Sequence, residues 1–179
     1  MFMVKSKAYI FDIDNTLIDT QAKVIIKNSI GEPIRRLSSK EYNSRANNFG
    51  YNMHDIDFAE FDSLSQLLQE RKLPTFYTLK DLYKTHTGKN IFICTCRENI
   101  RMIKEWLRVF DIDLPITNIV TFDPRIFKTG TDVKQFTVRY LASRYDELHI
   151  WEDEHKFIDV MIDAGAEYPA CEIYFEPLP

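Results

Sequence analysis

Short apolar runs bounded by polar residues recur along this chain. They are KAYIFD at 7–12, IFICT at 91–95, IVTF at 119–122, ELHIWE at 147–152 and EIYF at 172–175. Runs of this length and character predict buried strands. Between them, apolar residues return at three- and four-residue steps. Ile100, Ile103, Leu107 and Phe110 do so over 97–110, and Val133, Phe136, Tyr140 and Leu141 over 131–145. Phe157, Ile158, Met161 and Ile162 do so over 155–164, with Gly165 as the expected stop. Strands alternating with helices predict an α/β fold, with a parallel sheet of about five strands covered on both faces. Ligands in such sheets bind beyond the carboxyl ends of the strands. That singles out Asp12 and Asp14, Thr95, and Glu152 and Asp153, delivered by three separate strands to one edge.

The stretch from 20 to 90 breaks the alternation. AKVIIKN, Gly31-Glu32-Pro33 and IRRLS read as a β-hairpin turning at Gly31. Residues 38–58 are polar and aromatic with no clean period, while 59–72 and 78–86 look helical. The expected organisation is therefore a main domain from 1–19 and 91–179, with a flap and small cap inserted at 20–90. An excursion this long is more often functional than idle.

Composition narrows the picture. The chain has 179 residues, 45% of them hydrophobic, enough for one full-sized core and not for two large domains. A net charge of −4 supplies no global basic field for nonspecific nucleic-acid binding, though a local basic groove stays open. The three cysteines, Cys94, Cys96 and Cys171, suggest free thiols in a reducing compartment. Cys94-Thr95-Cys96 could be read as a metal or redox pair, but the free-thiol reading is preferred. No apolar run approaches the roughly 18 residues of a membrane span, and residues 1–7 lack a secretory pattern. The expectation is a cytoplasmic protein with no membrane partner and no evident obligate protein partner.

FDIDNTLID carries the most chemistry. Two carboxylates two residues apart, just past a hydrophobic strand, can reach one reacting centre. One can attack phosphorus and form an aspartyl-phosphate. The other can protonate the leaving oxygen and then deprotonate water. Neighbouring carboxylates repel each other, so a hard divalent cation such as Mg²⁺ is expected to share the site.

FDIDNTL resembles the DxDxT signature of the haloacid dehalogenase-like hydrolase superfamily, most of whose members are phosphatases. The resemblance continues in order through IFICT with Thr95, GTDVKQF with Lys134 and IWED with Glu152 and Asp153. It spans 7–175 apart from the inserted stretch and implies a Rossmann-like three-layer sandwich and an Mg²⁺-dependent phosphatase. Carried onto these positions, it makes Asp12 the nucleophile and a metal ligand. Asp14 is the acid/base and lends its backbone carbonyl to the metal. Thr16 braces the loop beside the substrate, Thr95 donates to the phosphoryl group, and Lys134 offsets the charge of Asp12 and the phosphoryl oxygens. Asp153 is a metal ligand. Glu152 stands where many relatives have aspartate or glycine, which leaves open whether it meets the metal directly or through water. The dehalogenases lack the second aspartate, since a halide needs no proton; Asp14 therefore favours phosphate esters. Lys128-Thr129-Gly130-Thr131 resembles part of the ion-pump signature, but Phe127 precedes it and no aspartate does.

Arg97 after the second motif and Arg125 before the lysine helix are similar to positions in phage polynucleotide 3′-phosphatase domains and related RNA-repair enzymes. Arginine suits phosphate through its bidentate fork. The alternative for Arg97 is a helix-start residue paired with Glu98 or Glu105. Glu154 stands where that branch carries an arginine. The phosphorylated substrate is therefore a nucleotide or nucleic-acid end, or alternatively a small sugar or metabolite phosphate. Phosphotransfer to another hydroxyl, or a low-turnover binding module, are the other readings. In the insert, Lys27, Arg35, Arg36 and Lys40 either line the substrate or form a solvated face. Tyr42, Phe49, Tyr51, Phe58 and Phe61 either stack on a base or make the insert's own core. His54, His86, His149 and His155 show no metal-ligand spacing, though His155 lies close enough to Asp153 to reach the site.

Overall fold

The structure, a computed structural model, describes residues 5–45, 55–86 and 88–179. The elements run β1 (Lys7–Phe11), β2 (Ile18–Asp19), β3 (Lys23–Lys27), β4 (Pro33–Ser38), α1 (Ser39–Arg45), β5 (Ile56–Asp57) and α2 (Leu64–Gln69). They continue with β6 (Arg71–Lys72), α3 (Pro74–His86), β7 (Ile91–Cys94), α4 (Ile100–Val109), β8 (Ile119–Val120), α5 (Gly130–Ala142), β9 (Glu147–Trp151), α6 (His155–Ala166) and β10 (Glu172–Phe175).

A five-stranded sheet in the order β10-β9-β1-β7-β8 forms the centre, and every pairing in it is parallel. This is an α/β architecture compatible with a Rossmann-like fold. Period-2 alternation sorts the side chains. Ala8 and Ile10, Phe92 and Cys94, and Leu148 and Ile150 pack with Val133, Val138 and Leu141 of α5 and Met161 and Ala164 of α6. On the other face, Tyr9 meets His86 of α3 with ring centroids 5.1 Å apart, and Phe11 stacks on Trp151 at 4.3 Å. Phe76 of α3 in turn packs on Trp106 of α4. Burial on both faces explains why these strands read as continuous apolar runs.

β1 is central, with β9 on one side and β7 on the other. The chain leaves β1 toward β7 and β8 and later crosses to β9 and β10. The carboxyl end of β1 is thus the switch point where such sheets bind ligands.

The chain divides into two compact units, one of residues 1–19 and 71–179 and the other of 20–70. The second boundary differs from the expected 90/91. Residues 71–90 join the sheet unit because β6 pairs with β2 and α3 packs beside β7. Residues 71–72 are strand, not the helix their pattern suggested. In the smaller unit, β3 lies between antiparallel β4 and β5. Asn28 closes the β3–β4 turn by accepting from the N–H groups of Ile30 and Glu32, and Gly31 takes φ +84°, which glycine adopts freely. Ala22, Val24, Ile26, Leu37 and Phe61 make this unit's core, with Tyr42 packed against it. Phe58 meets Tyr42 edge-on, so three of the insert's aromatics serve packing. Phe49, Tyr51 and His54 lie outside the described residues. Lys27 pairs with Asp57 at 2.6 Å, and Arg36 pairs with Glu60.

No helix among the described residues is long and apolar enough to cross a membrane.

Candidate active site

The carboxyl edge of the sheet holds the site. Asp12 follows β1 directly, and its N–H donates to Trp151 O at 3.0 Å, continuing the β1–β9 ladder. Beyond it the chain turns sharply. Ile13 O accepts from the N–H groups of Thr16, Leu17 and Ile18, and Asn15 adopts φ +58°. Asparagine tolerates that left-handed conformation better than most residues. The turn places Asp14 on the same edge as Asp12.

Lys134 sits one turn into α5 and is 1% exposed. Its Nζ donates to Asp12 Oδ1 at 2.7 Å, to Glu152 Oε2 at 2.6 Å and to Cys94 O at 2.8 Å. An ammonium has three hydrogens, so all three are used. The Phe157 ring lies 5.2 Å from the same nitrogen. Burial works to lower the Lys134 pKa, but Asp12 and Glu152 outweigh it and hold the ammonium well above the ordinary lysine range. Burial, only partly offset by Lys134, pushes Asp12 up to about 8, and it raises Glu152 as well. Asp153, half-buried, is pushed up to about 7 by burial and by the nearby carboxylates of Asp12 and Glu154.

Asp14 is held from β7's side. Arg97 Nη2 donates to Asp14 Oδ1 at 2.7 Å and Arg97 Nε to Oδ2 at 3.0 Å, a two-pronged pair with the arginine buried. Thr95 begins the loop carrying that arginine; its Oγ1 accepts from Arg97 N–H at 3.3 Å. Both Thr95 and Thr16 are enclosed, at 0% and 1% exposure. The Thr16 hydroxyl has no hydrogen-bond partner among the described residues.

Six of the expected residues therefore converge: Asp12, Asp14, Thr95, Lys134, Glu152 and Asp153, with Thr16 beneath the turn. Arg97 belongs with them in a different role, on Asp14. Its partner was hidden because an irregular loop residue has no periodicity to give its direction; its place three residues past the end of β7 was the one signal. The carbonyl of Cys94 and the ring of Phe157 left no sequence signal. Arg125 lies in the loop after β8, forked around Asp123 at 2.7 and 2.9 Å with its side chain 87% exposed. His155 is exposed at the start of α6. His149 bonds Glu176 at 2.6 Å at the sheet surface. Burial pushes the Cys94 thiol up to about 11, and its S–H donates to Thr137, which suits packing and not redox exchange.

The donor set suits a hard divalent cation. Carboxylate oxygens of Asp12, Glu152 and Asp153 lie within 4.8 Å of one another, and one ammonium compensates three acids. Burial first, and the neighbouring carboxylates after it, lift Asp12 and Asp153, and a cation would favour their ionised forms.

No known protein family, curated protein or solved structure matches this chain.

Proposed function

We propose that this chain is a phosphomonoester hydrolase of the haloacid dehalogenase-like kind, working through an aspartyl-phosphate at Asp12. The observation that carries the reading is the Asp12 carboxylate at the end of the central strand. Lys134 holds its Oδ1, and Asp14 stands on the same turn in the grip of Arg97.

Asp12 attacks phosphorus while the bond to the ester oxygen breaks, and Asp14 gives that oxygen a proton. Water then attacks the phosphoryl group, Asp14 takes a proton from it, and the bond to Asp12 breaks to release phosphate. Arg97 fixes the direction of the Asp14 carboxylate, and one prong of that fork must let go for Asp14 to carry the proton it gives. Lys134 keeps positive charge beside Asp12, and the buried Thr95 orders the loop that carries Arg97. Mg²⁺ held by Asp12 and Asp153 would supply charge neutralisation for the phosphoryl oxygens. Ionised Asp12 is the reactive form, and with a pKa near 8 it needs that compensation at neutral pH.

The two arginines that suggested a nucleic-acid end are paired elsewhere, Arg97 with Asp14 and Arg125 with Asp123. The proposal accordingly stops at phosphomonoesters. With Mg²⁺ and a generic aryl phosphate, the wild type should release phosphate, and Asp12→Asn should lower kcat by about 10⁴-fold or more. Equal rates for the two proteins across a broad phosphate panel would refute the reading.

A further inference from the structure

Three acids meet at this edge, and they are not equivalent. Glu152 is 5% exposed, and both of its carboxylate oxygens are engaged. Oε2 accepts from Lys134 Nζ at 2.6 Å, and Oε1 accepts from Glu154 N–H at 3.2 Å, at the entrance to α6. Asp153 is half-buried, and no side chain holds it among the described residues. Lys134, for its part, has given every hydrogen to Asp12, Cys94 O and Glu152. Without Glu152, one ammonium hydrogen would lose its acceptor in a buried setting, and the nitrogen would be free to swing off Asp12.

We infer that Glu152 is a positioning residue for Lys134 and not a metal ligand, so that the divalent cation is held by Asp12 and Asp153. This rests on the phosphatase reading only for its effect on turnover; the division of labour between the acids stands or falls separately. A glutamate suits the task. It is one methylene longer than aspartate and reaches sideways to the lysine, while its other oxygen accepts from Glu154 N–H just past Asp153. Lys134 takes one lone pair of Asp12 Oδ1, which leaves the rest of the carboxylate for cation and phosphorus.

The deciding measurement uses the wild-type chain with ¹³C-labelled carboxyl groups, titrated with Mg²⁺ and followed by NMR. Asp12 and Asp153 resonances should move with the cation, and the Glu152 resonance should follow them only weakly. A Glu152 shift as large as that of Asp153, or no response from any of the three, overturns the inference. Variants give the second arm. Glu152→Gln should bind Mg²⁺ within about threefold of wild type by calorimetry, whereas Asp153→Asn should lose at least tenfold. In Glu152→Gln the slowly exchanging Lys134 Nζ signal should disappear, while Asp153→Asn keeps it. Turnover should fall in kcat with KM little changed, and Glu152→Gln should add nothing in a Lys134→Met background. Loss of Mg²⁺ affinity in Glu152→Gln equal to that in Asp153→Asn would defeat the assignment. Absence of hydrolysis in the wild type would instead defeat the phosphatase reading and leave the NMR result decisive for Glu152.

Discussion

A fully enclosed lysine with three acceptors ties the fold to the site. Lys134 compensates Asp12 and Glu152, both of which are almost out of solvent. Replacing it by methionine keeps most of the volume and leaves two buried carboxylates without their cation. Breaking a buried pair in this way costs about 3–5 kcal/mol. Denaturant titration of Lys134→Met should show a loss of that order, and a loss below about 1 kcal/mol would contradict the buried-network picture. Asp153 adds a pH dependence. In the metal-free fold it keeps its proton up to about pH 7, whereas its ordinary value is 3.8. The folded chain therefore holds more protons than the unfolded one across that window, and this carboxyl's contribution to stability falls as pH rises through it. Cation binding needs the ionised form. With Asp12, the other proposed ligand, pushed up to about 8, Mg²⁺ affinity should climb about a hundredfold per pH unit below pH 7 as two protons are released, about tenfold between 7 and 8, and level off above 8. Calorimetry in buffers of different ionisation enthalpy checks this, and a flat affinity with no proton release would exclude it. The acids were legible in the sequence because strand ends fix where they must stand, and Lys134 was legible only through the family resemblance. What holds each of them was not, since the reach of Arg97 to Asp14 depends on a loop path that no period encodes.

At the scale of elements, the parallel strands were readable because burial on both faces leaves an unbroken apolar run. β2, β5 and β6 are two residues long and have no period to read. Gly165 and the Lys128-Thr129-Gly130-Thr131 run each have a structural role. Gly165 does not stop α6, which continues to Ala166. A Cβ there would lie 2.0 Å from Ile173 Cδ1, so the glycine marks where the helix crosses β10 closely. Lys128-Thr129-Gly130-Thr131 is a helix start: Thr129 accepts from Asp132 N–H, and the Asp132 side chain accepts from Thr129 N–H. This capping box satisfies two of the open donors at the end of the helix that carries Lys134. Thr129→Ala should cost about 1 kcal/mol in global stability by denaturant titration. Hydrogen exchange should localise the loosening to the first turn of α5. An unchanged midpoint would mean that the box contributes nothing beyond solvent.

At the scale of the whole molecule, β2 and β6 set where the inserted unit begins and ends. The inserted unit runs from 20 to 70, and the chain is back in the sheet unit at 71. The reason lies in β2 and β6: Asp19 stands opposite Arg71 and Ile18 opposite Lys72 in an antiparallel pair. Arg71 Nη2 reaches Asp19 Oδ2 at 2.8 Å, and Leu73 N–H donates to Leu17 O at 2.9 Å. Two residues directly opposite each other in such a ladder are joined naturally by a two-residue turn. Replacing residues 20–70 by Asn-Gly should therefore close β2 and β6 into an ordinary hairpin, because this dipeptide favours the type I′ turn that matches strand twist. The five-stranded sheet has its own core on both faces and draws none of its strands from the removed segment. The shortened chain should remain monomeric, unfold in one cooperative transition and give a dispersed amide spectrum. It should also keep the slowly exchanging Lys134 ammonium, since Asp12, Cys94 and Glu152 all lie in the retained unit. A collapsed spectrum, or loss of that ammonium signal from a folded product, would show that the sheet unit depends on residues 20–70 for its site. Retention would establish that the Lys134 network is complete within the sheet unit.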